Sequence, residues 1–246
     1  MTNRIDFLQP DWPAPANVRA ASTTRGGGVS EGNWQGLNLA THVGDDPGHV
    51  SANRQLLLDE LGLAGLPAWL TQVHGTRVCD LPGSGDCEAD AATTTTPGEV
   101  CVVMTADCLP VLFTDTRGKR VAAAHAGWRG LAAGVLEASI AAFDDPYEVM
   151  AWLGPAIGPE SFEVGEEVRQ AFVDRDAGAA AAFVQNRPGH WLADIYALAR
   201  LRLAAAGVEA VYGGGFCTYR DAERFYSFRR DPITGRMASL IWMQPE

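Results

Sequence analysis

The stretch that decides the fold is VCVVMTADCLPVLFTDTRGKRVAAAHAGWRG, residues 100–130. It holds three short apolar runs, at 100–105, 109–114 and 120–125, separated by polar residues and glycine. Runs of this length with such breaks predict three consecutive strands. A helix is predicted directly afterwards at 131–143, where Ala, Leu and Val recur.

Outside this stretch the sequence alternates between helical and extended patterns. Helices are predicted at 49–61, closed by Gly62, at 163–173, and at 193–206, closed by Gly207. Residues 67–74 and 148–153 are predicted as strands, 82–98 as a loop, and 208–242 as short strands. This mixture favours an α/β sandwich over an all-β barrel. We expect a single domain over residues 1–246, with 1–18 as an N-terminal extension.

Composition limits the classes of function. The formal net charge of the 246 residues is −11, which argues against non-specific binding to nucleic acid or to an anionic membrane. The first residues contain no apolar segment typical of a signal peptide, and no apolar run is long enough to span a bilayer. We therefore expect a cytoplasmic protein whose five cysteines are all reduced.

Three residues at strand ends or sharp bends are candidate metal ligands: His74, Cys108 and His125. Each lies within two residues of glycine or proline, and loops at the ends of rigid strands commonly carry functional side chains. Imidazole nitrogen and thiolate sulfur suit zinc, and three protein ligands leave a fourth position open for water, as in catalytic sites.

Several other residues are candidates for substrate binding or proton transfer. Arginines in glycine-rich or helix-initiating contexts are candidate phosphate ligands, and we expect them to line the metal pocket. They are Arg25, Arg129 and one of Arg229 or Arg230. His42 is predicted either to line the pocket or to be structural. Asp107, Asp90 and Glu163 are alternative proton shuttles.

Seven motifs closely resemble the YfiH family. They are STTRGG at 22–27, NL at 38–39, TQVHG at 71–75, MTADCLPV at 104–111, AHAGWRG at 124–130, LGPAIG at 153–158 and YSFRRD at 226–231. The motifs occur in order from about Ser22 to Trp242, nearly the whole chain. Proteins of this family have been called laccase-domain proteins, polyphenol oxidases, purine nucleoside phosphorylases and peptidoglycan editing factors.

The resemblance implies a four-layer α/β/β/α sandwich, similar to the catalytic domain of a bacterial deamidating toxin. It implies zinc at His74, Cys108 and His125, with Asn38 among the substrate-binding residues. The implied activities are phosphorolysis of adenosine, inosine and methylthioadenosine, and deamination of adenosine. The partners would then be a nucleoside and phosphate.

Three other functions remain open at this point. Cys108 could be the nucleophile of a cysteine hydrolase with His125 as its base, a reaction that would fit peptidoglycan-precursor editing. Two histidines and a cysteine also match a copper site, with Met104 nearby, but five histidines in total are too few for a laccase. A non-catalytic protein with a structural zinc is the last alternative.

Overall fold

A computed structural model describes residues 5–63, 67–83 and 87–245. Its strands are β1 (Phe7–Leu8), β2 (Val18–Thr23), β3 (Val78–Leu81), β4 (Ala91–Thr94), β5 (Val100–Thr105), β6 (Leu109–Asp115), β7 (Val121–Ala126), β8 (Val149–Leu153), β9 (Glu163–Gly165), β10 (Phe183–Arg187), β11 (His190–Ala193), β12 (Ala210–Gly213) and β13 (Met237–Met243). The α-helices are α1 (Pro47–Leu61), α2 (Trp128–Ala133), α3 (Val135–Ile140), α4 (Glu166–Val173) and α5 (Ile195–Ala205). None of these helices has the length and apolar character needed to cross a membrane.

The strands form two large sheets that pack face to face. The first has the order β1-β2-β13-β5, and the second has the order β12-β8-β6-β7-β4-β3. One apolar cluster joins the facing surfaces, with Val103 and Ile241 from the first sheet and Leu112, Ala123 and Trp152 from the second. A smaller sheet, β10-β11-β9, lies outside this pair.

Helices cover the outer face of each large sheet. Leu57 of α1 packs against Val102 and Leu240 of the first sheet. Leu136 of α3 and Leu198 of α5 belong to the cluster on the outer face of the second. The layers therefore run helix, sheet, sheet, helix, and the predicted four-layer α/β/β/α sandwich is confirmed.

The three apolar runs form β5, β6 and β7 as predicted, and the strand at 148–153 is also confirmed. β6 and β7 pair antiparallel in the second sheet, whereas β5 crosses to the first and pairs with β13. The peptide that follows β5 therefore passes from one sheet to the other. Cys108 lies in that crossing, immediately before β6.

Four of the other predicted elements need correction. Residues 67–74 form only isolated bridges at Ala68 and Thr71, not a strand. The predicted loop at 82–98 contains β4, whose four Ala and Thr residues are buried, and residues 84–86 lie outside the described part. The predicted helix at 131–143 is divided at Gly134, where φ is 111°. The helix predicted from 163 begins only at Glu166, because β9 precedes it.

The ends of the remaining helices agree with their predicted glycines. Gly62 is the C-cap of α1 and has a φ of 63°, a conformation that glycine adopts at little cost. Gly207 follows α5 with a φ of 89°. In the described part of the predicted N-terminal extension, β1 pairs with β2, so this segment joins the first sheet.

The prediction that all five cysteines are reduced is wrong for one pair. Cys79 on β3 and Cys87 form a disulfide, with Cα atoms 6.5 Å apart. Cys101, Cys108 and Cys217 are free.

Packing between the sheets supports the strands that carry the candidate ligands. We expect Leu112→Ala to lower the free energy of unfolding by about 2–5 kcal/mol, because Leu112 is fully buried and its loss leaves a cavity. Denaturant unfolding would measure this loss. Val184→Ala, at a 65% exposed position on β10, is the matched control and should change stability by less than about 0.5 kcal/mol. Equal losses in the two variants would contradict this account of the core.

Candidate metal centre

Cys108 is held by an unusual turn between β5 and β6. The preceding residue, Asp107, has a φ of 92°, which is rare for a residue other than glycine. Its carboxylate accepts hydrogen bonds from the hydroxyl of Thr218 and from the backbone N–H of Arg229, both at 2.6 Å. These two bonds attach the Cys108 turn to the C-terminal part of the chain.

His125 lies near the end of β7 with only 3% of its surface exposed. Its Nδ1 is 2.8 Å from Oδ1 of Asp90, and its backbone N–H donates to the Asp90 carbonyl at 2.7 Å. A carboxylate at Nδ1 fixes the ring so that Nε2 is available to a metal, the arrangement common around metal-bound histidines.

His74 is positioned by the same carboxylate. The backbone N–H groups of Val73, His74 and Gly75 donate to the Asp90 oxygens at 3.2, 2.9 and 2.6 Å. His74 has a φ of 62°, so this tight loop is strained and depends on those bonds. This bonding also explains why residues 67–74 do not form a strand, because their last amides are directed to Asp90 instead of to a neighbouring strand.

The three candidate ligands converge. Nε2 of His74 is 3.8 Å from Sγ of Cys108, and one ligand atom from each of His74, Cys108 and His125 lies within 4.8 Å of the others. Two imidazoles and a thiolate form a donor set that suits zinc or copper. A Cβ at Gly127 would lie 2.7 Å from the His74 ring and 2.9 Å from Sγ, so this position needs glycine. The residues therefore fit a metal ion.

The lowered pKa of the Cys108 thiol favours metal binding, whereas His125 must release a proton to become a ligand. Burial alone would raise the pKa of the Cys108 thiol, but His125 and the hydrogen bonds from both imidazoles lower it to about 6. Burial alone would lower the pKa of His125, but Cys108 and Asp90 raise it to about 9. Without a metal, the two form a thiolate–imidazolium pair, and the thiolate is the form that binds metals.

A cavity of about 230 Å³ opens beside the candidate ligands. Besides the triad it is lined by His42, Gln72, Met104, Thr105, Ala106, Phe228 and Arg236. Both polar atoms of the Gln72 side chain bond to the backbone of Met104: Nε2 donates to the carbonyl and Oε1 accepts from the N–H, both at 2.8 Å. Burial and the charges of Arg236 and Arg54 lower the pKa of His42, which favours the neutral ring.

The predicted arginines do not line this cavity, so that prediction is wrong. Arg25 borders a separate cavity and donates to the carbonyls of residues 222 and 35. Arg129 is exposed and stacks 4.5 Å from the Trp128 ring. Arg229 donates to the Glu163 carbonyl, and Arg230 to carbonyls in the 218–225 segment. Backbone carbonyls in other parts of the chain therefore hold Arg25, Arg229 and Arg230 away from the cavity, and Arg129 stacks on its neighbour.

The remaining candidates separate into lining and supporting residues. His42 lines the cavity, whereas Asn38 is fully buried and accepts the backbone N–H of Arg236. None of the three predicted proton shuttles lines the cavity: Asp90 and Asp107 are bonded as described above, and Glu163 pairs with Arg187.

Sequence reasoning missed Arg236 and Phe228. Arg236 lies in the segment TGRM at 234–237, which carries no local sign of a binding role. It reaches the cavity because Asn38 holds its backbone, a contact between residues far apart in the sequence. Only the three-dimensional structure could identify it.

Comparisons with known proteins agree with this geometry. A family model described as multi-copper polyphenol oxidoreductase laccase matches residues 19–244. The chain belongs to this laccase-domain family. A protein named purine nucleoside phosphorylase from Pseudomonas aeruginosa is 58% identical, covering 97% of this chain and 98% of its own length. Purine nucleoside phosphorylase YfiH of Escherichia coli is 56% identical, with 96% and 98% covered.

Solved structures of laccase-domain relatives share the fold. A Neisseria meningitidis protein is 53% identical and superposes with a TM-score of 0.93, covering 97% of this chain and 99% of its own. YlmD from Geobacillus stearothermophilus is 30% identical, with a TM-score of 0.91 and 97% and 96% covered. The resemblance to the YfiH family is confirmed.

The Asp90 carboxylate gives a direct test of the metal centre. We expect Asp90→Asn to weaken metal binding by about 10–100-fold, because the amide cannot accept from both His125 and the 73–75 loop. Competition with a chromophoric zinc chelator would measure the affinity, and circular dichroism would confirm that the variant is folded. Asp80→Asn, at an exposed position on β3, is the control and should bind zinc normally. Unchanged affinity in Asp90→Asn would contradict the positioning role.

Proposed function

We propose that this chain is a metal-dependent purine nucleoside phosphorylase. The observation that carries the proposal is the cavity itself, where the His74–Cys108–His125 triad meets the cation Arg236. Relatives named purine nucleoside phosphorylase, at 58% and 56% identity over nearly the whole chain, support it. A metal centre beside an arginine is suited to a reaction that joins an anion to a neutral substrate.

The metal is proposed to be zinc, bound by His74, Cys108 and His125. Zinc would act as a Lewis acid at an oxygen of the reactants. Copper is the alternative, but a multi-copper oxidase is a poor fit because the described residues contain one group of candidate ligands.

Arg236 is proposed to bind phosphate. A guanidinium offers paired N–H donors whose geometry matches phosphate oxygens. Two Arg236 hydrogen bonds, to the carbonyls of Thr234 and Gly235, both come from Nη1. His42, whose neutral form is favoured beside Arg236, would provide a further polar contact for the anion.

The proton transfers that each reaction needs favour phosphorolysis over deamination at this site. In phosphorolysis, an oxygen of hydrogen phosphate forms a bond to C1′ of the ribose as the glycosidic C–N bond breaks. The proton of hydrogen phosphate ends on the released purine, so no protein carboxylate is required. Zinc deaminases use a carboxylate to move protons from water to the leaving amine. Because none of the described carboxylates lines the cavity, adenosine deamination is proposed only as a slower second activity.

A cysteine hydrolase is the second candidate, and one observation favours it. Asp90, His125 and Cys108 form an acid–imidazole–thiol series like those of cysteine nucleophiles. In this reaction the metal-free thiolate would bond to an acyl carbon as its C–N bond breaks, the leaving amine would take a proton from the His125 imidazolium, and water would then hydrolyse the thioester. Such a step would be consistent with editing of a peptidoglycan precursor. The triad argues against it, because a nucleophile and its base do not need His74 as a second imidazole.

The setting proposed for this activity is the cytoplasm, with nucleosides and phosphate as small-molecule partners. The net charge of −11 gives no support to a nucleic-acid or membrane partner. Inosine, adenosine and methylthioadenosine are the proposed nucleosides.

Phosphate and metal dependence together test the proposal. We expect zinc-loaded protein to release hypoxanthine from inosine only when phosphate is present, with ribose 1-phosphate as the second product. Removing zinc with a chelator should abolish turnover, and added zinc should restore it, because the triad needs the ion to act on the substrate. Chromatography of both products is the measurement. Full hydrolytic activity in metal-free protein, with a trappable acyl group on Cys108, would instead establish the hydrolase.

Arg236 should control phosphate affinity in this reaction. We expect Arg236→Gln to raise the KM for phosphate by about 10-fold or more, since charge-assisted bonds contribute about 1.5–3 kcal/mol. Arg236→Lys should retain part of the affinity. Arg129→Ala removes a guanidinium that stacks outside the cavity and is the matched control. If Arg129→Ala raised this KM as much as Arg236→Gln did, the assignment would be wrong.

A further inference from the structure

Phe228 is an exposed aromatic side chain at the cavity beside the metal centre. It lines the cavity, yet 54% of its surface is exposed. Large aromatic residues contribute most to stability when they are buried, so an aromatic ring left open at a binding cavity is a candidate ligand contact. Val73, next to His74, is also 51% exposed.

The backbone beside Phe228 is fixed relative to the candidate ligands. The next residue, Arg229, donates its backbone N–H to Asp107 at 2.6 Å, and Asp107 directly precedes Cys108. Ser227, on the other side, is fully buried, and its carbonyl accepts from the N–H of Asp231. Phe228 therefore lies in a turn that hydrogen bonds hold in place. One of these bonds is to the carboxylate of Asp107, which also holds the turn that contains Cys108.

Arg236 connects the ring to the proposed anion site. Its guanidinium lies over the Phe228 ring, 5.7 Å from the centroid. This cation–π contact keeps the two side chains together at the cavity. A ligand that contacts the exposed part of the ring would therefore lie close to an anion bound at Arg236.

The cavity provides little for reading a base by hydrogen bonds. Gln72 contributes the only side-chain amide among the described lining residues, and its two polar atoms bond to the backbone of Met104. Met104 and Ala106 add apolar surface. We therefore expect stacking and apolar contact to contribute most to binding a flat heterocycle, and Phe228 is the one Phe, Tyr or Trp among the described lining residues.

We propose that Phe228 is the stacking platform for the purine base. This rests on the proposed phosphorylase function and names the residue that binds the leaving group. A two-ring purine covers more of the phenyl face than a one-ring pyrimidine does, so the platform favours purine nucleosides. Stacking on the Phe228 ring does not distinguish between different substituents at C6 of the base.

The test is binding of inosine to zinc-loaded protein in the absence of phosphate, measured by calorimetry. Phe228→Ala should weaken inosine binding by about 10–100-fold, the range expected for loss of one base–aromatic stack. Phe228→Tyr should restore binding because it keeps the ring. The zinc content should remain as in the unsubstituted protein. Ile233→Ala removes another exposed apolar side chain that does not line the cavity, and it is the matched control.

The outcomes separate this inference from the function on which it rests. Normal inosine affinity in Phe228→Ala, or equal losses in the Ala and Tyr variants, would overturn the platform even if phosphorolysis is observed. If inosine binding requires the aromatic ring but turnover does not depend on phosphate, the stacking role of Phe228 is supported and the proposed phosphorylase function is ruled out. Absence of inosine binding by the unsubstituted protein would overturn both.

Discussion

The candidate site depends on the buried carboxylate of Asp90. Its oxygens accept from three consecutive amides around His74 and from the ring of His125, so one side chain positions two ligands from different parts of the chain. Burial raises the pKa of a carboxyl group, but these hydrogen bonds outweigh it and keep the pKa of Asp90 below its usual value. The buried charge is tolerated because its lone pairs are satisfied.

A second carboxylate, Asp107, links the remaining parts of the site. It bonds to Thr218 and to the backbone of Arg229, while Asn38 holds the backbone of Arg236. The cavity therefore joins ligands from the second sheet to residues supplied by the C-terminal segment. A chain with a net charge of −11 can still bind an anion there, because the local field near Arg236 differs from that of the whole molecule.

Local sequence signals predicted the features that depend on local structure. The three short apolar runs indicated β5, β6 and β7, and histidine or cysteine within two residues of glycine or proline indicated all three candidate ligands. The failures have tertiary causes. Threonines in β4 are polar in sequence but buried in the sheet, and Gly134 interrupts a stretch whose composition is helical. Glycine-rich surroundings suggested Arg25 as a ligand, whereas distant carbonyls determine where its guanidinium lies.

The left-handed backbone conformations of His74 and Asp107 limit which substitutions these two positions tolerate. Each such residue costs about 1–3 kcal/mol, which the surrounding hydrogen bonds must offset. Glycine at either position would relax the turn, but it would also remove a candidate ligand or the carboxylate that braces Cys108. At Asp107 that relaxation would be offset by the loss of the two hydrogen bonds that its carboxylate accepts. At His74 the bond to Asp90 comes from the backbone, so the residue that is best for stability and the residue that the candidate site needs are different there. Selection for thermal stability alone would therefore favour loss of this candidate ligand, while leaving the sandwich intact.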